Sequence, residues 1–141
     1  MTKFLDSDGI YEAVRDIFAV TVLLDKRERD REMIEYTHAT MLHNHKLRPN
    51  KILSRHKILD EFEARKDYLA KAIASDHEDS YKVALLGRIK DEKLQRSVLS
   101  SIFTISVCDY ELHDEESDFI RKALSIWKTD MPTSSELDAV G

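Results

Sequence analysis

The densest chemistry-bearing stretch of the chain runs from Asp109 to Asp118, DYELHDEESD, with six carboxylates, one histidine and neither Lys nor Arg. Such density is unfavourable unless water, a helix N-terminus or a cation offsets the repulsion. Hard divalent cations take oxygen ligands of this kind. Asp109, Glu111 and Glu116 form a candidate set for one if the loop folds back on itself. A second reading needs no metal. Asp114, Glu115 and Glu116 then fill the first turn of a helix, where carboxylates interact favourably with the dipole and the free amides. Glu116 reaches back to a loop amide, as in a capping box. The run is not an EF-hand, because its sixth position is Asp114 rather than Gly and its twelfth is Ile120 rather than Glu.

Other candidate groups are sparser. His38, His43 and His45 cluster on one predicted helix, and Glu35-x-x-His38 matches half of a di-iron motif. No second Glu-x-x-His completes it, so these read as surface or partly packed histidines. His113 lies inside the acidic run and reads as a loop histidine, with metal ligation or a pH-sensitive pair as the alternative. The lone Cys108 precedes Asp109, where neighbouring carboxylates raise a thiol pKa and disfavour a nucleophile. Burial as a small hydrophobe is its expected state. No Ser-His-Asp or Cys-His motif is visible. Lys46, Arg48, Lys51, Arg55 and Lys57 make a basic segment around Pro49. It suits an acidic partner, the protein's own acidic surface, or simply a solvated connection.

These residues need elements to hold them, and the pattern is helical throughout. The 141 residues include only three glycines and two prolines, too few breakers for a sandwich or barrel. Asp6, Ser7 and Asp8 offer cap oxygens for a first helix ending near Asp25. Its segment from Ile17 to Leu24 is apolar nearly all round, which predicts a central helix. A second helix is expected from about Asp30 to His45, with Met33, Ile34, Thr37, Met41 and Leu42 inward, and Pro49 prevents its continuation. A third runs from about Ser54 to Ala74 on Ile58, Leu59, Phe62, Leu69 and Ile73. Ser75-Asp76-His77-Glu78 reads as a capping box for a short helix breaking near Gly87. Asp91 caps the next, and the last spans roughly Asp114 to Lys128. One domain over 1–128 is expected, with a frayed polar tail over 129–141.

The formal net charge of −5 disfavours a dedicated nucleic-acid binder. No glycine-rich phosphate loop is present, since Gly9, Gly87 and Gly141 stand far apart. The longest charge-free stretch, Ser97 to Cys108, is too short to span a bilayer. The first residues, MTKFLDSDG, lack an apolar signal core. A soluble, cytoplasmic, non-enzymatic protein without direct membrane insertion is the expectation.

Two segments share one pattern at an offset of 84 residues, VLLDKRERDRE and SVCDYELHDEE. In each an apolar helix runs into Asp, and a Glu lies seven residues later, giving Asp25 with Glu32 and Asp109 with Glu116. The offset also superposes Val14 on Val98, Phe18 on Ile102 and Asp30 on Asp114. The C-terminal copy, IKDEKLQRSVLSSIFTISVCDYELHDEESDFIRKALSIW, resembles the TerB family of tellurite-resistance proteins and the related domain of DjlA-type membrane co-chaperones. Asp109 matches the family's loop Asp, Leu112 its aliphatic position and Glu116 its Glu, and the likeness covers roughly residues 10–128. The family's Gly after Asp is replaced by Lys26 and Tyr110, and Glu28 stands at the first copy's aliphatic position. The resemblance implies an all-helical bundle of about six or seven helices with two antiparallel hairpins related by a rough twofold. It implies a stress-response role and acidic loops that bind a divalent cation such as calcium. Asp25 and Glu32 then supply a second set beside Asp109, Glu111 and Glu116. The co-chaperone relatives imply instead a metal-free module for a protein partner, one associated with a membrane.

Overall fold

The computed structural model describes residues 9–24, 30–107 and 114–129. They form six helices and no strand: α1 (Ile10–Leu24), α2 (Asp30–Leu47), α3 (Arg55–Ala74), α4 (Glu78–Gly87), α5 (Glu92–Val107) and α6 (Asp114–Trp127). The all-helical class expected from the scarcity of Gly and Pro is what is observed. The expected caps Asp6, Ser7 and Asp8 and the tail beyond residue 129 lie outside the described residues.

Helix α1 packs against each of the other five. Every residue from Asp16 to Val22 is buried, as the all-round apolar pattern predicts. Helix propensity alone disfavours so many β-branched residues, so tertiary burial holds this helix together. The one hydroxyl in that run is satisfied locally, since Thr21 Oγ1 donates to the Ile17 carbonyl at 2.8 Å. At its start Gly9 has φ +73°, and an added Cβ there meets the Arg88 guanidinium at 3.0 Å. The left-handed backbone there favours glycine, and a side chain would also have to displace the tip of Arg88.

Tyr11 at the start of α1 stacks under Arg48, just past the end of α2, at 3.6 Å from the ring centroid. The two helices are thus antiparallel. Arg96 early in α5 donates to Thr129 just past α6, so the second hairpin is antiparallel too. The 84-residue offset carries the start of α2 at Asp30 onto the start of α6 at Asp114. It pairs buried Val14 with Val98, Phe18 with Ile102, Ala39 with Ala123 and His43 with Trp127. Along the chain, helices α3 and α4 come between the two copies, and they are cross-braced by the edge-to-face rings of Tyr68 and Tyr81 at 6.5 Å.

Two local expectations are corrected. Helix α2 is rotated from its expected face: Ile34 and Met41 are exposed, Met33 and Leu42 are half-buried, and Tyr36, Thr40, His43 and Asn44 face inward. Several polar groups on that core side are matched by close partners. Thr37 Oγ1 donates to the Met33 carbonyl at 2.7 Å, and Asn44 Nδ2 to the Lys51 carbonyl at 2.7 Å. The expected capping box also fails to form. Ser75 closes α3 rather than opening α4, donating to the Ala72 carbonyl at 2.9 Å and accepting from the His77 amide at 3.2 Å. Glu78 is then the first residue of α4, not the third. The cap at Asp91 does form, its Oδ1 accepting from the Leu94 amide at 3.0 Å. Ser54 likewise caps α3.

Candidate functional site

Glu32 and Glu116 are the third residues of α2 and α6, and each is 1% exposed. A Glu at this position normally extends toward solvent or back toward its own loop. Here both side chains are buried and take part in hydrogen-bonding, ion-pair or electrostatic interactions, as buried carboxylates must. Their helix-mates Asp30, Asp114 and Glu115 are exposed, in the first turn where the dipole favours them. The fold therefore gives the two glutamates equivalent places at the feet of the two loops. The other candidate ligands, Asp25, Asp109 and Glu111, lie outside the described residues, as do Lys26, Glu28, Cys108, Tyr110, Leu112 and His113. Among the described residues no group of three or more His, Cys, Asp or Glu is arranged to hold a metal ion.

At the same end of the bundle a groove of about 770 Å³ opens between α1, α3 and the start of α6. Val22, Leu24, Ala70 and Ile73 line it with apolar surface, and Lys66, Glu78 and Glu115 add charge. A second, more polar groove lies between α4 and α6, bridged by the ion pair of Lys122 with Asp79. That contact holds the Asp79 carboxyl below its usual range.

The histidines divide. His38 and His45 are exposed as expected, whereas His43 is completely buried. Its ring meets the edge of Phe18 at 5.1 Å. The Ala39 carbonyl, 2.8 Å from Nδ1, can only accept. Nδ1 therefore carries the proton in the neutral ring, and Nε2 accepts from Ser97 Oγ at 2.9 Å. Lys46 Nζ donates to the same Oγ at 3.0 Å. A hydroxyl between an imidazole and an ammonium has the composition of an activated nucleophile. Burial, however, lowers the His43 pKa to about 4, too weak a base for proton abstraction near neutrality. The trio instead bolts α2 to α5. Nothing in the sequence singles out Ser97, because its partner lies 54 residues away.

A polar cluster also joins α1 to α3. Asp16, 6% exposed, accepts from Arg65 at 2.8 Å and lies 3.4 Å from Arg15. Tyr11 donates to Glu61 at 2.8 Å, and burial together with that carboxylate pushes its phenol pKa up.

No helix among the described residues is long and apolar enough to cross a membrane. Comparison of the whole chain with known protein families, with curated proteins and with solved structures gives no match in any of the three.

Proposed function

We propose that this chain is a non-catalytic, cytoplasmic helical module of the TerB-like stress-response type, which binds a divalent cation through the carboxylates of its two equivalent interhelical loops. The observation that carries the reading is the matched burial of Glu32 and Glu116, 84 residues apart, at equivalent positions after the two loops. Buried carboxylates are costly and need a compensating charge or a full set of donors. Asp25 precedes the first of them, and Asp109 and Glu111 the second. An all-oxygen donor set suits a hard ion, calcium above zinc.

A second reading rests on the same helix starts. With Asp30 at the first position of α2 and Asp114 at the first of α6, Glu32 and Glu116 occupy the capping-box position. The loops then shape a metal-free surface for a protein partner of the co-chaperone-associated kind.

Thermal unfolding of chelator-stripped protein separates the two. With calcium at a hundredfold excess over its dissociation constant, a folded-state site stabilises by about 2.7 kcal/mol and raises Tm by several degrees. The shift is expected to vanish in Asp109→Asn and in Glu116→Gln, and to be smaller for magnesium. An unchanged Tm with calcium, magnesium and zinc alike leaves only the capping role and directs attention to a protein partner.

A further inference from the structure

The end of the bundle opposite the acidic loops carries an exposed aliphatic side chain on a fixed support. Ile52 lies in the connection between α2 and α3 and is 92% exposed, far more than any other large apolar residue described. The backbone beside it is anchored on both sides. The Lys51 amide donates to the Arg48 carbonyl at 2.9 Å, and the Lys51 carbonyl accepts from Asn44 at 2.7 Å. Leu53 is buried in the core, and Ser54 caps α3. The protein thus presents an isoleucine to solvent from an ordered turn, so its display costs little further entropy on binding.

Its surroundings are basic. Lys51, Arg55 and Lys57 flank it in sequence and are exposed. The contacts of Lys46 with Ser97 and of Arg88 with the Gly9 carbonyl bring the start of α5, with exposed Lys90 and Lys93, to the same end. The carboxylates here are fewer: Asp91 caps α5, Glu61 accepts from Tyr11, Asp60 lies 3.3 Å from His56 on the surface, and Glu92 is exposed between Lys90 and Lys93. The other end holds Asp30, Glu78, Asp114 and Glu115 at the starts of α2, α4 and α6. A chain of net charge −5 is therefore polarised along the bundle, and a negative surface attracts one end while repelling the other.

We propose that this end docks on an anionic phospholipid surface, with Ile52 entering the boundary between headgroups and acyl chains and Lys51, Arg55 and Lys57 meeting the lipid anions. A single aliphatic tip flanked by exposed basic residues matches a fluid surface that closes around it. A protein partner calls for a broader complementary apolar patch, and single-stranded nucleic acid for aromatic platforms, and among the described residues no other exposed large apolar or aromatic side chain lies in the α2–α3 connection beside Ile52. The docking is independent of cation binding at the far end.

Co-sedimentation of the full chain with vesicles tests this, in chelator so that calcium cannot bridge protein and lipid. Binding is expected to phosphatidylcholine vesicles with roughly 30% phosphatidylserine, not to phosphatidylcholine alone, and to weaken as salt is raised. Ile52→Ser should weaken it by about tenfold or more. Lys51→Gln combined with Lys57→Gln should weaken it by roughly 25-fold. These sites are exposed, and circular dichroism verifies that the variants remain folded. No binding at low salt overturns the proposal. So does binding that Ile52→Ser leaves unchanged, or equal retention of wild type and Ile52→Ser on duplex DNA or an acidic polypeptide.

Discussion

Asp16→Ala should destabilise the fold by about 3 kcal/mol, and Arg65→Ala by about 1 kcal/mol. The asymmetry follows from the geometry. Asp16 is the shared acceptor, with Arg65 at 2.8 Å and Arg15 at 3.4 Å. Its removal leaves two guanidinium groups facing each other over a vacated acceptor. Removal of Arg65 leaves Asp16 still paired with Arg15. The side chain of Arg65 is 36% exposed, so a stranded Arg65 can turn toward water, which keeps the cost of Asp16→Ala at the low end for a broken buried pair. Denaturant midpoints of the two single variants and the double variant measure the coupling. If Arg65→Ala costs as much as Asp16→Ala, Asp16 is not the hub of this cluster.

Acid should weaken the protein through His43. Its folded-state pKa is about 4, lowered chiefly by burial, while an imidazole in an unfolded chain titrates near 6.5. As pH falls, the unfolded state takes up the proton first. The contribution is therefore complete above about pH 6.5 and is lost progressively down to about pH 4. It amounts to about 3 kcal/mol in all, with a slope of at most about 1.4 kcal/mol per pH unit. Protonation also reverses the Ser97 contact, because Nε2 then becomes a donor, and it sets an imidazolium beside the Lys46 ammonium on the same hydroxyl. A His43→Gln variant should be less stable at pH 7.5 but should lack this component of the decline. Urea midpoints of the two proteins at several pH values between 7.5 and 5 decide it. Parallel curves would show that His43 does not titrate in this window.

Helix boundaries were legible where a cap or breaker marked them. Asp91, Ser54 and Pro49 each stop or start an element by local chemistry that the sequence displays. The repeat was legible through spacing, because Asp30 and Asp114 open equivalent helices. The inward face of α2 was not. Hydrophobicity favours Ile34 and Met41 as core, yet the structure buries Thr40, His43 and Asn44 on the opposite side. Their polar groups are accommodated by contacts such as Asn44 with Lys51 and His43 with Ser97, and the latter is invisible along the chain. Ser75 was misread because one hydroxyl can close one helix or open the next, and the turn geometry decides. Of the candidate ligands, the structure places Glu32 and Glu116, and their burial is the part no periodicity argument anticipates.

Because α1 touches every other helix, neither copy of the repeat owns a complete core. The α5–α6 hairpin, cut from the chain, would expose Val98, Ile102 and Ile105, all now fully buried. Whatever duplication the 84-residue offset reflects, the two halves have become one cooperative unit with no partly folded resting point. Loss of helicity and loss of the buried environment of Trp127, the single tryptophan, should accordingly coincide in one unfolding transition. Separate midpoints for the two signals would mean that the hairpins can come apart.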